Sequence, residues 1–180
     1  MRTYKLTVVY DGTRYQGWQR QKTTEMTIQE VLETAITQVA GRETKIDGSG
    51  RTDGGVHAKG QTASVTLPGK VAENEFRLKL NAVLPEDVRV KEMLLMKNGF
   101  HARQNAKGKR YEYFVDTREK PDVFTRKYCY HYPYKLNISA MKEEGLFYRS
   151  ICNVIFCFQA AYYTLFQSNF SVCYVEISIM

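Results

Sequence analysis

At 180 residues and 43% hydrophobic composition, the chain has the make-up of a soluble globular protein, with room for one good core or two small domains. Its net charge of +7 is uneven: residues 1–150 carry 26 Lys and Arg against 18 acids, whereas residues 151–180 hold no Lys or Arg and one acid, Glu176. Cys129, Cys152, Cys157 and Cys173 show no CxxC spacing, which argues against a zinc site or a disulfide framework. A basic body rich in tyrosine suits a polyanion such as RNA, although charge alone fits a merely basic domain equally well. The opening MRTYKLTVVY lacks the apolar core of a signal peptide, so a reducing cytoplasm is the expected setting.

In chain order, TYKLTVVYDGT alternates Leu6, Val8 and Tyr10 on one face and predicts a strand ending in an Asp-Gly turn. TIQEVLETAITQVAG predicts a helix. Thr27 and Glu30 form a capping box, Ile28, Val31, Leu32, Ala35, Ile36 and Val39 make one apolar stripe, and Gly41 is placed to end it. ETKIDGSG predicts a short strand running into a glycine loop, and QTASVTLP a strand leaving it through Ala63, Val65 and Leu67. ENEFRLKLNAVL reads as a helix through Phe76, Leu80 and Leu84. DVRVKEMLLM reads as a strand with Val88 and Val90, then Leu94 and Met96, on one face. The fold class is therefore α+β: a ferredoxin-like βαββαβ unit over residues 1–100, followed at 101–145 by a second basic segment.

In that second segment, Tyr111, Tyr113 and Val115 share one face of a strand. RKYCYHYPY is a candidate partner closed by Pro133, and NISAMKEEG starts like a helix capped by Asn137 or Ser139. From about Gly145 the character changes to a divergent apolar tail, residues 146–180, with seven aromatics and three cysteines after residue 150. Three readings of it stand: a pair of buried strands, a poor membrane anchor interrupted by Asn153 and Gln159, or a non-native, frameshifted end. A span needs about 20 apolar residues, which this stretch does not offer.

Residues 48–61 read GSGRTDGGVHAKGQ and place Asp53 among five glycines, beside Arg51 and near His57. This is not a P-loop, since no Gly-Lys-Ser/Thr follows, nor a dinucleotide fingerprint, since Asp53 stands where the third glycine belongs and a strand follows. It lacks the alternating acids of a calcium loop, and Asp53 with His57 is too small a set for a metal hydrolase. A lone aspartate in such a loop is ordinarily a turn residue. Arg51 gives the other reading, because it can hold a phosphate or pair with the carboxylate, and a positioned carboxylate is a competent nucleophile.

GSGRTDGGVHAKGQ closely resembles the signature of the tRNA pseudouridine synthase A family: Gly-Arg-Thr-Asp, a small residue, then Gly-Val-His. VVYDGTRYQGWQRQ, IQEVLETAI, LNAVLPEDVRV and FHARQNAKGKRYEY also resemble family segments, in family order, so the resemblance covers about residues 1–145 and stops before the tail.

The resemblance implies isomerisation of uridine to pseudouridine in the anticodon stem-loop of tRNA, without cofactor or metal, by a cytoplasmic homodimer whose second domain is complete. It makes Asp53 the nucleophile, toward either C1′ of the ribose or C6 of the uracil. Arg51 would hold the vacated base position and a phosphate, and Tyr111 would stack on the flipped uracil. Arg103, Arg14, Lys109 and Arg110 would contact substrate, with Lys22 and Lys107 extending the basic track. Trp18 reads as a packing residue, and His57 and His101 as structural hydrogen-bonders. The resemblance makes residues 101–145 the beginning of a second, apparently truncated, α/β synthase domain; in the family that domain also supplies a basic residue that pairs with the nucleophile, and no Lys or Arg follows Arg149 here. The alternative is an inactive RNA-binding fragment of such an enzyme.

Overall fold

The computed structural model describes residues 1–137, 139–140, 146–151, 154–159 and 173–176. The question of the tail's authenticity falls largely outside them. The structure is mixed α/β, with two helices against a largely antiparallel sheet. In chain order it runs β1 (Arg2–Tyr10), a 3-10 turn (Gly12–Arg14), α1 (Ile28–Ala40), β2 (Ile46–Gly48), β3 (His57–Leu67), α2 (Glu73–Val83) and β4 (Val88–Leu95). Then come β5 (Arg110–Asp116), β6 (Tyr130–His131), β7 (Leu146–Ile151), β8 (Val154–Gln159) and β9 (Cys173–Glu176). Among the described residues the strand order is β4-β1-β3-β9-β5-β8-β7, with β2 along β3 and β6 along β5. The β3–β9 and β5–β6 pairings are parallel; the others are antiparallel.

Local sequence accounts for most of the first half. Thr27 caps α1 by accepting the Glu30 N–H, and Gly41 ends it at φ 69°, in the left-handed region where glycine carries no Cβ penalty. Ile28, Leu32, Ala35 and Ile36 are buried; Val31 and Val39 pack at the edge of the same core. From the sheet come Tyr4, Leu6, Val8 and Tyr10 of β1 and Ala63, Val65 and Leu67 of β3, none more than 5% exposed. α2 has no side-chain cap, but Glu73 and Glu75 in its first turn suit the positive end of the helix dipole.

β4 departs from simple alternation. Val88 and Val90 face inward, but the next buried residue is Met93, and Leu94 is 42% exposed. The cause is a bulge at Lys91: Val8 pairs with Val90, yet Thr7 pairs with Glu92, so one extra residue flips the phase. Asn81 of α2 binds both backbone groups of Val90, Nδ2 to the carbonyl at 2.9 Å and Oδ1 from the N–H at 2.8 Å. β3 departs in a different way, since Thr62 and Ser64 of its second face are also buried. The segment after Phe100 covers that face, with Ala102 fully buried and its N–H donating to Ser64 Oγ at 3.1 Å.

Glu33 is the buried charge that the apolar stripe of α1 hides. Its Oε1 accepts the Ile46 N–H at 3.1 Å, and Oε2 lies 3.2 Å from Arg20 Nη1, joining α1 to the start of β2. Removing a buried acceptor strands its donors, so Glu33→Ala is expected to cost about 2 kcal/mol in a urea melt. Glu33→Gln, which keeps the acceptor for Ile46, is expected to cost about half of that.

In the second segment, Val115 and Asp116 of β5 pair with Tyr130 and His131 of β6. Asp116 is buried, and the Arg118 guanidinium holds its carboxyl well below the ordinary carboxylate range. Residues 139 and 140 are helical, and Asn137 Oδ1 accepts the Ala140 N–H at 3.1 Å, as a cap does. No helix of the described residues is long and apolar enough to cross a membrane.

Candidate active site

The glycine loop, residues 49–56, leaves β2 at Gly48 and enters β3 at His57. Gly50 and Thr52 are buried, whereas Arg51 and Asp53 are exposed. The loop thus keeps a strand's two-residue alternation, which turns the guanidinium and the carboxylate outward together. Two side chains from the sheet hold the buried positions. Gln61 Nε2 donates to the Gly50 carbonyl at 2.7 Å, and Tyr10 Oη lies 2.9 Å from Thr52 Oγ1 in a buried hydroxyl pair.

A second chain segment, Tyr15–Trp18, braces the loop from the side. The Trp18 N–H donates to the Thr52 carbonyl at 2.9 Å, and the Gly55 N–H to the Tyr15 carbonyl at 3.1 Å. Such close approach of two backbones needs glycine. At Gly17, where φ is 90°, a Cβ would lie 2.5 Å from the Thr52 carbonyl oxygen; at Gly12 it would lie 1.9 Å from that of Val56. Trp18 is 2% exposed and sits beneath Gly48, with its ring centroid 6.2 Å from that of Tyr10. It is a packing residue, and what it packs against is the loop's entrance.

The loop's exit is tied down by His57. Its Nδ1 accepts the Gly12 N–H at 3.1 Å and lies 3.0 Å from Asp11 Oδ1, while Tyr128 Oη donates to Asp11 Oδ2 at 2.9 Å. Burial pushes the imidazole below its ordinary pKa, against the opposing pull of the Asp11 carboxylate. A cleft of about 450 Å³ opens here, lined by Asp11, His57, Asp87, Arg89 and Tyr128 among others; Asp53 is not part of its lining.

The structure brings some of the residues singled out by sequence together and leaves others apart. Tyr111 and Tyr113 of β5 pack against Val56, three residues beyond Asp53, so the second segment does reach the loop. Lys59 spans the same gap, with Nζ 3.1 Å from Glu112 Oε2 and 4.8 Å from the centre of the Phe114 ring. Among the described residues, Asp53 and Arg51 form no ion pair with each other, and neither side chain has a hydrogen-bonded partner. Arg14 is engaged by Asp87, with Nη2 2.7 Å from Oδ2, although most of its side chain remains exposed. Arg103 is exposed on the turn anchored at Ser64, and Lys22, Lys107 and Lys109 are exposed as well. Arg110 opens β5 opposite Glu176 of β9. His101 holds the Arg103 turn, its Nδ1 accepting the Arg103 N–H at 3.2 Å.

Tyr10, Gln61 and the tyrosine end of the Asp11 network escaped the sequence reading. Alternation marks Tyr10 as inward, but nothing local reveals that its hydroxyl meets Thr52, 42 residues away. The sequence signal that was available is the glycine at 17 beside an aromatic, which signals a backbone pressed against something.

Fold and site together define an α+β protein that displays one carboxylate and one arginine on a hydrogen-bonded, glycine-rich loop beside its sheet. A profile described as tRNA pseudouridine synthase matches residues 6–103. The chain is 43% identical over 145 residues to tRNA pseudouridine synthase A 2 of Bacillus thuringiensis subsp. konkukian (strain 97-27), covering 81% of this chain and 59% of that protein. It is 45% identical over 148 residues to tRNA pseudouridine synthase A of Bacillus sp. (strain KSM-64), covering 82% and 61% respectively. With tRNA pseudouridine synthase A of Thermoanaerobacter sp. (strain X514) it shares 43% identity over 145 residues, 81% of this chain and 59% of that one. The chain belongs to the tRNA pseudouridine synthase family. It spans about three fifths of the length of the curated relatives it matches.

Proposed function

We propose that this protein isomerises uridine to pseudouridine in the anticodon stem-loop of tRNA, with Asp53 as the nucleophile. The observation that carries the proposal is the outward pair, Arg51 and Asp53, fixed on a loop that is braced on both sides and met by Tyr111's strand. The names of the relatives support the reaction and the class of substrate.

The chemistry suits one carboxylate. Asp53 adds to C1′, displacing uracil with the N1–C1′ electron pair, or adds to C6 to loosen the same bond. The freed base turns within the site and C5 bonds to C1′ as the Asp53 oxygen leaves that carbon, or, on the other route, Asp53 is afterwards expelled from C6; the C5 proton is lost and N1 ends protonated. Asp53 is regenerated and the net change is confined to one nucleotide with no change of oxidation state, so the scheme calls for neither a redox partner nor a metal. Extracting the base from the stack costs a few kcal/mol. Stacking on Tyr111 returns about 1–3 kcal/mol, and Arg51 holds the neighbouring phosphate. Exposed Arg103, Arg14 and Lys109, together with Arg110, carry the tRNA backbone, with affinity that falls steeply as salt rises.

The same proposal assigns residues 1–100 to a ferredoxin-like domain, supported by the antiparallel order β4-β1-β3-β2, and residues 101–145 to the beginning of a second synthase domain. It makes the protein a cytoplasmic, cofactor-independent RNA-binding enzyme and, with a complete second domain, a homodimer. The test is pseudouridine formation by this chain on an unmodified tRNA transcript. Turnover is the expected result; binding of the transcript without any turnover would overturn the proposal for this chain and leave an RNA-binding fragment.

A further inference from the structure

We propose that Tyr10 is a positioning residue for Asp53, acting through Thr52; this rests on the reading of Asp53 as the nucleophile. Thr52 stands between the two outward residues, so the orientation of its flanking peptide planes sets the direction of both the Arg51 and the Asp53 side chains. Its carbonyl is held by the Trp18 N–H, and its side chain by the Tyr10 hydroxyl at 2.9 Å. Tyr10 is only 5% exposed, and the cleft it helps to line beside His57 does not include Asp53, so its effect on the carboxylate passes through Thr52. It is the last residue of β1, a central strand paired on both edges, by β3 and by β4.

The geometry gives the hydroxyl a distinct job from the ring. The ring belongs to the core beside Trp18 and would pack there equally well as phenylalanine. The hydroxyl meets a threonine that is 7% exposed, where water is a poor substitute partner. Without that bond the Thr52 side chain is free to rotate, and the Asp53 carboxylate moves with the loop. Displacements of about 1 Å at a reacting group are enough to cost two orders of magnitude in rate.

The experiment compares the full chain with Tyr10→Phe, Thr52→Val, the double variant and Thr52→Ser. Two readouts are used: steady-state pseudouridine formation on a tRNA transcript, and amide hydrogen exchange at Trp18 and Gly55. Tyr10→Phe is expected to lower kcat about 10- to 100-fold while KM for the transcript stays within about twofold. Thr52→Val should do the same, the double variant should be no worse than either, and Thr52→Ser should restore most of the rate. Exchange at the two amides should quicken about tenfold with little change in melting temperature.

Unchanged kcat and unchanged exchange in Tyr10→Phe would overturn the assignment. A melting temperature that collapses together with kcat and KM would also overturn it, since that is a merely structural residue. If the parent chain forms no pseudouridine, the proposed function fails for this chain, while the exchange at Trp18 and Gly55 still decides whether Tyr10 holds the loop.

Discussion

Replacing Asp53 by alanine is expected to abolish pseudouridine formation, a loss of about 10⁴-fold or more, equivalent to over ~5 kcal/mol of transition-state stabilisation. The structure makes this a clean experiment. Asp53 is exposed, and among the described residues its side chain has no hydrogen-bonded or ionic partner. Truncating such a side chain ordinarily shifts stability by no more than about 0.5 kcal/mol. The loop's shape is held instead by Gly50, Thr52 and Gly55, whose partners lie elsewhere. Any loss of turnover is therefore chemical. Affinity for tRNA should stay within about threefold, because binding rests on basic contacts to phosphates that the substitution leaves in place. Asp53→Asn should fail equally, since an amide keeps the shape and loses the nucleophilic oxygen pair. Release of the C5 hydrogen from tritiated uridine reads turnover, and filter binding reads affinity. A variant that kept more than a tenth of the parent's rate would remove Asp53 from the reaction.

The largest expected effect on stability comes from Trp18→Ala, at about 3–5 kcal/mol, as for other large aromatic deletions from packed cores. The indole is 2% exposed and fills the space between Tyr10, α1's start and Gly48, where a Cβ would come within 2.5 Å of it. That contact leaves little room for the surroundings to collapse into the cavity. For a chain of this size the loss corresponds to roughly 10 °C in melting temperature. Thermal denaturation followed by circular dichroism measures it, and a cost below about 1 kcal/mol would mean that the site repacks freely. Activity should fall further than stability alone predicts, because the indole also seats the entrance to the Asp53 loop beneath Gly48, even though the backbone N–H of residue 18 stays available to Thr52.

What could be read in advance divides along physical lines. α1 was legible because its cap, its apolar stripe and its terminal glycine are all local signals; Thr27 and Gly41 act as read, while the Glu30 carboxylate, the other half of the expected capping box, pairs with Arg20 and the Thr27 N–H goes to the Glu25 carbonyl. The inward faces of β1 and β3 followed from alternation. Alternation failed in β4, where the inward residue after Val90 is Met93 rather than Leu94, because Asn81 on another element claims the Val90 backbone and a bulge follows. Glu33 was invisible for a similar reason: besides Gln29 one turn back, the partners that bury it, Ile46 and Arg20, are each 13 residues away. At the site, the glycine density pointed to Asp53 and Arg51. The devices that aim them, Tyr10, Gln61 and the Tyr15–Trp18 brace, are tertiary and have no local signature.

The ladder between β1 and β3 runs from Arg2 opposite Leu67 to Tyr10 opposite Ala58, and an extra residue in β3 breaks its rhythm just before that last pair. The strands behave like a zipper whose final tooth, set beyond a misfit, is the one that closes over the loop. Fraying starts at such ends, at a fraction of the free energy needed to open the whole sheet. Amides at the Tyr10–Ala58 end of the ladder are therefore expected to exchange faster than those at its middle, which hydrogen-exchange measurements on the full chain would read directly.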